Sequence, residues 1–249
     1  ILIPQKYLYY LPVSSLPIGN DLSTDLKLST NRLRFIDRFQ ISYAFSAQWW
    51  FEGNSKREPS NRIKGLALLP DQKADAPPIG FNEKKLLSTL DQWEKLFPSA
   101  GKTIENDLAE IDFDLLYIAA HSKYEEQEEE TKIYFDAQNP ISGREIRKWP
   151  LKGKKVVLAS CESQLGPNSA AEGMLSMSYY LAAAGAHSIT GTLWEVSDKV
   201  TEEILSPVNY ATLNMSAEKI LEKIREYRSK ETSFDQLPYF WAAFWTFEQ

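Results

Sequence analysis

The stretch Asp114-Leu-Leu-Tyr-Ile-Ala-Ala120 decides the fold, because it is a short apolar run that is not interrupted by alternating polar residues. Two further stretches share this pattern, Lys155-Val-Val-Leu-Ala-Ser160 and Ser188-Ile-Thr-Gly-Thr-Leu-Trp194. Such runs are typical of strands in a parallel sheet that is covered on both faces. A weaker run at residues 65–69 predicts a fourth buried strand, and residues 132–136 predict a short, more exposed strand.

Amphipathic stretches separate these strands and predict helices. They cover residues 82–97, 169–184 and 216–228. We expect the second helix to begin with a capping box formed by Ser169 and Glu172 and to end at Gly185. Gly173 then lies inside that helix, where close packing against the neighbouring strand is a reason for a residue without a side chain. Strands that alternate with helices predict an α/β fold with a mostly parallel central sheet and helices on both faces.

The chain reads as one domain. It has 249 residues, of which 43% are hydrophobic, and no long Gly/Ser-rich or Pro-rich stretch divides it. We therefore assign residues 1–249 to one domain, with an N-terminal part over 1–60 and an α/β core over 61–249. A strand is predicted near residues 7–10. Because the first residue is Ile1 rather than Met, we expect this sequence to be a piece of a longer chain and to lack its upstream domains.

Composition limits the partners and the location. The formal net charge is −6, from 28 basic and 34 acidic residues, which argues against a phosphate-binding surface and therefore against nucleic acid as a partner. No apolar run approaches the roughly 20 residues that span a bilayer, so no membrane partner is expected. A single cysteine excludes an intrachain disulfide, and no secretory leader pattern is present. These features predict a cytoplasmic protein.

Two of the predicted strands run directly into reactive side chains, His121 and Cys161. In open α/β sheets, catalytic groups gather beyond the carboxyl ends of the strands. If the two strands are neighbours, the thiol and the imidazole meet at one edge of the sheet, where they could act as nucleophile and acid in amide hydrolysis. Backbone N–H groups at Ser122 and Cys161 are candidates for an oxyanion site. The alternative is a buried structural cysteine and a structural histidine.

Motifs for other chemistries are absent from the sequence. With two histidines and one cysteine, no Cys/His zinc pattern can be assembled, and we predict neither a metal nor a cofactor. The chain contains no G-x-G-x-x-G sequence, no P-loop and no G-x-S-x-G sequence, which argues against dinucleotide enzymes, NTPases and serine hydrolases. His187 lies at the amino end of the strand at 188–194 and is interpreted as structural.

Five separated motifs resemble those of the CHAT domain, a caspase- and separase-related peptidase domain that often follows TPR repeats. They are Leu11-Pro-Val-Ser-Ser-Leu16, Tyr117-Ile-Ala-Ala-His-Ser122, Val156-Val-Leu-Ala-Ser-Cys-Glu-Ser163, Ala182-Ala-Ala-Gly-Ala-His-Ser-Ile-Thr-Gly-Thr-Leu-Trp-Glu-Val-Ser-Asp198 and Leu237-Pro-Tyr-Phe-Trp-Ala-Ala-Phe244. The resemblance implies a caspase-like three-layer sandwich and a closing helix at the last motif. It also implies that Cys161 attacks the scissile carbonyl and that His121 acts chiefly as acid to the leaving amine. This chain has Ser122 and Ser160 where the family usually has Gly and Ala, and Ser122 bears on the oxyanion geometry because Gly permits a positive φ.

The same resemblance implies a preference for a basic P1 residue. In separase-like relatives an acidic residue after the Leu-Trp pair of the third strand faces a basic P1 side chain, and Asp198 matches this region, with Glu195 as the second candidate. We expect Arg or Lys to be held by these carboxylates. The alternative is that Ser197 and Asp198 cap the helix that follows, which is a common role for both residue types.

An acidic run, Glu125-Glu-Gln-Glu-Glu-Glu130, directly follows the histidine motif. Its charges repel one another, so we expect a mobile, solvated loop. The alternative is a gate or a substrate-steering loop beside the site.

These expectations combine into two hypotheses. The first is a regulated cysteine endopeptidase that cleaves a partner protein, which the resemblance associates with bacterial signalling or antiphage defence, with an upstream TPR-type or sensor domain, and with substrates such as gasdermin-like pore formers. The second is a catalytically silent caspase-like module that kept the fold for docking. The presence of both His121 and Cys161 favours the first.

Overall fold

The computed structural model describes most of the central sheet and the helices around it. The described residues are 11–18, 33–45, 49, 64–70, 93–98, 104–125, 130–136, 139–159, 168–169, 173–174, 176–205, 217–230 and 237–248. The strand predicted near residues 7–10 lies outside them.

The described strands and helices follow one another along the chain as a mixed α/β arrangement. The strands are β1 (Gly65–Leu68), β2 (Glu94–Leu96), β3 (Leu115–Ile118), β4 (His121–Glu125), β5 (Glu130–Tyr134), β6 (Ile141–Ser142), β7 (Lys155–Leu158), β8 (Asn168–Ser169), β9 (Gly173–Met174), β10 (Ser188–Thr192) and β11 (Phe244–Glu248). The helices are α1 (Phe35–Arg38), α2 (Ile104–Glu110), α3 (Gly143–Ile146), α4 (Met177–Ala183), α5 (Asp198–Leu205), α6 (Ala217–Lys230) and α7 (Pro238–Trp241). A short 3-10 helix covers Val13–Ser15.

The largest sheet has six strands in the order β11-β10-β7-β3-β1-β2. Every neighbouring pair is parallel except β10 and β11, which are antiparallel. Leu66, Leu116, Val156 and Ile189 from four of these strands are fully or almost fully buried. The predicted α/β fold with a mostly parallel sheet is therefore confirmed, and its four buried strands are β1, β3, β7 and β10.

The second sheet is antiparallel and has the order β4-β5-β6. It begins at His121, two residues after Ala119, whose N–H still donates to the carbonyl of Leu68 in the large sheet at 3.0 Å. The prediction of a short strand at 132–136 that is more exposed than the central strands is confirmed for β5, in which Lys132 and Tyr134 are half-buried while Ile133 is buried, as is Phe135 just after it. Its apolar side chains face the core through this smaller sheet.

Two of the predicted helices start or end elsewhere, because strand pairing outweighs the helical pattern. Residues 94–96, at the end of the helix predicted over 82–97, form β2 beside β1, and residues 82–92 lie outside the described part. At the start of the helix predicted over 169–184, β8 and β9 pair with each other, so neither the capping box at Ser169 nor a helical Gly173 is correct. The helix begins at Met177 behind Ser176, whose Oγ accepts the N–H of Tyr179 at 3.4 Å.

The end of that helix and the helix at 216–228 follow the sequence closely. Gly185 has a φ of 96°, a left-handed conformation that glycine adopts without steric cost, and α4 ends just before it. The third predicted helix corresponds to α6, which buries Ile220, Leu221, Ile224 and Tyr227 along one stripe. These are the apolar positions that the sequence pattern indicated.

The aromatic segment near residue 240 forms core, but only its first part is helical. The resemblance implied a closing helix through Phe244, whereas α7 stops at Trp241 and β11 begins at Phe244. The Trp245 ring stacks on Tyr43, with ring centroids 3.8 Å apart and an interplanar angle of 5°. The open edge of β10 explains the difference, since five residues of β11 satisfy it by antiparallel pairing.

An N-terminal segment is fixed to α6 by arginine side chains. Arg225 donates its Nε–H to the carbonyl of Ile36 at 2.7 Å, and Arg228 forms an ion pair with Asp37. The guanidinium groups of Arg34 and Arg228 lie 5.9 and 4.6 Å from the centroid of the buried Trp241 ring, within cation–π range. Residues 33–39 are therefore part of the folded unit. Among all the helices described, none is long and apolar enough to cross a membrane.

Candidate active site

The strands that precede His121 and Cys161 are direct neighbours. Leu115 through Ile118 pair in parallel with Lys155 through Leu158, and the N–H of Ala159 donates to the carbonyl of Ile118 at 2.9 Å. Counted along the sequence, His121 and Cys161 are each three residues beyond the paired residues Ile118 and Leu158. The expected adjacency of the two strands is thus confirmed. Ser160 and Cys161 themselves lie outside the described residues, so the meeting of thiol and imidazole stays a prediction.

His121 lies where the chain passes from the large sheet into the smaller one. It is the first residue of β4, half-buried, and pairs across the antiparallel ladder with Tyr134 of β5. Residues directly opposite each other in such a ladder share one face of the sheet. His121 therefore lies on the same face as Tyr134, Lys123 and Glu125, which is the polar face of the β4–β5 hairpin.

Ser122 is an ordinary strand residue. It is buried, and it pairs with Ile133 in the β4–β5 ladder. A residue in a regular antiparallel ladder has extended backbone angles that any L-amino acid adopts. The backbone of this chain at Ser122 therefore does not require the positive φ for which glycine is suited.

The acidic run is ordered at both of its ends, so the expected loop over 125–130 is too long. Glu125 is the last residue of β4, Glu130 is the first residue of β5, and the two are paired. Glu130 is buried, and its Oε1 accepts the N–H of Arg144 in the first turn of α3 at 3.4 Å. Residues 126–129 lie outside the described part. The smaller sheet orders these ends because strand pairing compensates the repulsion between their charges.

Glu125 is held by two partners on the polar face of the hairpin. Its carboxylate accepts the Tyr134 hydroxyl at 2.7 Å and the Lys123 ammonium at 3.3 Å. The Tyr134 hydrogen bond, followed by that from Lys123, lowers the pKa of Glu125. The Glu125 carboxylate therefore holds the side chain of Tyr134, the residue opposite His121 in the ladder.

Replacement of Tyr134 by Phe tests the hydrogen bond between the Tyr134 hydroxyl and the Glu125 carboxylate. We expect Tyr134→Phe to raise the pKa of Glu125 towards its ordinary value, because the lost hydrogen bond is the largest cause of the lowered pKa. A carboxyl group with a lowered pKa in the folded state stabilises the fold at higher pH, and this stability is lost as the pH falls through the folded-state pKa. The free energy of unfolding of Tyr134→Phe should therefore fall less on acidification than that of the wild type. Carboxyl-carbon NMR titration measures the shift, and Lys123→Met should give a smaller rise. An unchanged pKa in Tyr134→Phe would contradict the contact.

The loop after β10 carries the two predicted specificity residues. Glu195 is exposed, and Asp198 is the first residue of α5, although its side chain is not among the described ones. The carbonyl of Ser197 accepts the Thr201 N–H at 3.0 Å, which is the backbone pattern of a residue that precedes a helix. The start of a helix at Asp198 agrees with the capping alternative. Because β10 is parallel to β7, the loop leaves the same edge of the sheet as the segment that contains Cys161.

Sequence reasoning missed one exposed aromatic residue at this edge, Tyr239. It is 60% exposed, and its ring stacks on Trp194 with centroids 6.3 Å apart and an interplanar angle of 22°. The Trp194 Nε1–H donates to the backbone carbonyl of Tyr239 at 2.9 Å. Tyr239 and Trp241 stand in the same aromatic motif, and only tertiary placement separates the exposed Tyr239 from the buried Trp241.

Two other titratable groups with shifted pKa values lie at the opposite end of the sheet. Burial lowers the pKa of Lys155, at the start of β7, and raises the pKa of Glu248, at the end of β11. His187 is at this end too, where its N–H donates to the carbonyl of Lys154 at 2.7 Å. In the part of the chain that the structure describes, no three His, Cys, Asp or Glu side chains are grouped closely enough to hold a metal ion.

Comparison with known proteins gives a family and a fold. The family model of the CHAT domain matches residues 1–248. A crystal structure of the Saccharomyces cerevisiae separase–securin complex is similar, with a TM-score of 0.52 and 15% sequence identity. The match covers 84% of this chain and 14% of the separase chain. A second structure of that complex gives a TM-score of 0.51 and 13% identity over the same shares.

The Porphyromonas gingivalis RgpB complex of pro- and mature domains has a TM-score of 0.46 and 11% identity, and covers 75% of this chain and 47% of that chain. A search of curated proteins finds no significant match. This chain spans only 14% of the separase chain, so the separase likeness concerns the caspase-like cysteine peptidase fold and no further property of that protein.

Proposed function

This chain belongs to the CHAT domain family, and from that membership we propose that it is a cysteine endopeptidase that cleaves a partner protein. The observation that carries the proposal is the parallel pairing of β3 with β7. Parallel neighbours end at one edge of a sheet, so this pairing supports a shared groove for the side chains that follow the two strands. Those side chains are His121 and, by sequence, Cys161.

In the proposed reaction the Cys161 thiolate attacks the scissile carbonyl and forms a tetrahedral intermediate. Backbone N–H groups of Ser122 and Cys161 stabilise its oxyanion. His121 gives a proton to the leaving amine, which departs and leaves an acyl-enzyme. Water then hydrolyses the thioester and releases the free thiol. The half-buried position of His121 supports this role, because an acid at the groove must reach substrate while its ring is held in place.

We propose further that the peptidase prefers a basic P1 residue, bound by Asp198 with Glu195. The strand order β10-β7-β3 supports this, because the loop that carries both acids lies beside the end of β7 on the side away from His121. Substrate residues on the acyl side of the scissile bond could lie there while the leaving amine faces the imidazole. The net negative charge of the chain agrees with a basic recognition sequence in the partner.

The biological setting is proposed from the family alone. A cytoplasmic role in bacterial signalling or antiphage defence, with control by an upstream TPR-type or sensor domain, fits a peptidase that must stay inactive until triggered. Gasdermin-like effectors are one class of possible substrate. The separase in the similar crystal structures is bound to securin, so a protein partner is a reasonable expectation for this chain.

A catalytically silent docking module is the second candidate. The observation that favours it is Ser122, which stands next to the histidine where the family usually has Gly and which brings a buried side chain to that position. The extended strand geometry of Ser122 weakens this argument, since the local backbone is regular.

Labelling with a thiol-reactive peptide tests the two candidates. Cys161 is the single cysteine, so any covalent adduct must form there. We expect a peptidyl acyloxymethyl ketone ending in Arg to label the wild type under activating conditions, to label His121→Ala far less and to leave Cys161→Ala unlabelled, as measured by intact-protein mass spectrometry. His187→Ala, which removes the second histidine of the sequence, is the matched control and should label normally. A wild type that stays unlabelled, while iodoacetamide modifies its thiol after unfolding, would favour the docking module.

A further inference from the structure

Trp194 and Tyr239 come from two different elements that meet at the carboxyl edge of the sheet. Trp194 is two residues beyond β10, and Tyr239 belongs to α7, which precedes β11. Because β10 and β11 are antiparallel, the end of one strand at Thr192 pairs with the start of the other at Phe244. The stacked pair of Trp194 and Tyr239, here called the aromatic ledge, therefore lies at the edge from which His121 also leaves the sheet.

The aromatic ledge is held by several contacts although Tyr239 faces solvent. Besides the stack and the Trp194 Nε1–H bond to the Tyr239 carbonyl, the Leu193 N–H donates to the carbonyl of Ala243 at 2.9 Å. The Tyr239 ring also contacts Phe240 edge to face, with centroids 5.4 Å apart. A large aromatic side chain that is exposed yet already ordered loses little entropy on binding, which is typical of residues that dominate protein interfaces.

The charge beside the aromatic ledge indicates what it binds. Glu195 directly follows Trp194 in the sequence and is exposed, so the residue next to the aromatic ledge along the chain carries a negative charge that solvent can reach. An Arg or Lys side chain is the group that uses both features, because the ring faces attract a cation and the carboxylate pairs with it. An apolar side chain would use the rings and leave the carboxylate without a partner.

We propose that Tyr239, stacked on Trp194 beside Glu195, is a substrate-binding residue that holds an Arg or Lys side chain of the protein substrate. The proposal rests on the proposed peptidase function and adds a second element of basic-residue recognition to the loop after β10. The aromatic ledge lies beyond β10, which is separated from β3 and His121 by β7, so it would contact the acyl side of the substrate.

Binding to Cys161→Ala tests this without catalysis. The probes are fluorescein-labelled hexapeptides with one Arg at each position in turn, and the same peptides with citrulline, the neutral analogue of Arg. We expect Tyr239→Ala to weaken binding of the best Arg peptide by about 3- to 30-fold, the range of a cation–π contact. Tyr239→Phe should restore most of the affinity, because it keeps the ring. Citrulline peptides should bind more weakly and respond little to Tyr239→Ala.

Phe97→Ala is the matched control. Phe97 is 41% exposed and follows β2, the outer strand that β7, β3 and β1 separate from β10, so its removal should leave peptide affinity unchanged. The proposal is overturned if no Arg peptide binds at millimolar concentration, if Tyr239→Ala binds like its parent, or if Arg and citrulline peptides lose affinity equally. If peptide binding depends on Tyr239 but Cys161 does not react, only the peptidase proposal is refuted. If the protein hydrolyses peptides and Tyr239→Ala does not change the rate, only the proposed role of Tyr239 is refuted.

Discussion

Replacement of His121 by Ala should lower kcat/KM for peptide-bond hydrolysis by about 10²- to 10⁴-fold, the usual contribution of a general acid–base group. Cys161→Ala should remove the covalent route altogether, and the double variant should be no worse than Cys161→Ala, since the two residues act as a unit. Initial rates with a fluorogenic peptide amide and with its p-nitrophenyl ester measure this. His187→Ala, at the opposite end of the sheet, should keep the rates of the wild type.

The two substrates separate the possible roles of the imidazole. An amine leaving group needs a proton, whereas nitrophenolate leaves without one, so an acid should matter much more for the amide than for the ester. The imidazole also helps to form the thiolate, so we expect His121→Ala to impair hydrolysis of both substrates, and to impair amide hydrolysis by the larger factor. Equal losses on both substrates would instead indicate that His121 serves only to deprotonate the thiol, and hydrolysis at the wild-type rate in Cys161→Ala would end the thiol mechanism.

Loss of the carboxylates after β10 should give the second large effect. We expect Asp198→Asn combined with Glu195→Gln to lower kcat/KM for a substrate with Arg at P1 by about 30- to 1,000-fold, because an unpaired charge in a binding site costs a few kcal/mol. Substrates with citrulline at P1 should be affected little. Competition between the two substrates, analysed by mass spectrometry, gives the ratio directly.

Glu203→Gln provides the control for this specificity experiment. Glu203 is exposed on the helix that Asp198 begins, so the variant removes one negative charge, half the change of the double variant, without a change in the loop after β10. Its P1 preference should equal that of the wild type. A library in which the wild type cleaves best after Leu or Asp would remove the basic-P1 hypothesis, and an equal loss in Glu203→Gln would reduce it to a general effect of charge.

The central strands could be predicted because burial on both faces leaves a local mark in the sequence. The apolar runs at β3, β7 and β10 could be recognised without knowledge of their neighbours, whereas the pairing of β3 with β7 was an assumption that only the fold could test. The sequences of β2 and β11 did not predict strands in this way. Trp93 fits a helical stripe in the sequence, but in the fold it packs edge to face on Tyr117 beside β1, where Gly65 leaves room for its ring.

In the candidate site, too, features that depend on tertiary pairing could not be predicted from the local sequence. The sequence predicted that His121 ends a buried strand, yet it could not predict that a second sheet begins there, because the pairing of Ser122 with Ile133 joins segments on either side of a run of acids. Local charge repulsion indicated a loop over all six residues, and cross-strand pairing overcame it at Glu125 and Glu130. The exposure of Tyr239 likewise depends on how α7 docks, which neighbouring residues in the sequence do not determine.

The contact between Tyr43 and β11 has a consequence for how the protein folds. The N–H of Tyr43 donates to the carbonyl of Thr246 at 3.0 Å, and the carbonyl of Tyr43 accepts the N–H of Glu248 at 3.1 Å. Tyr43 therefore pairs with the outer edge of β11, a strand about 200 residues away in the sequence. Such non-local pairing must overcome the chain entropy of closing a long loop, so we expect it to form late in folding. Until then the outer edge of β11 lacks its hydrogen bonds to Tyr43 and can pair with another chain. Slow maturation and self-association of the nascent protein are the expected result of this design.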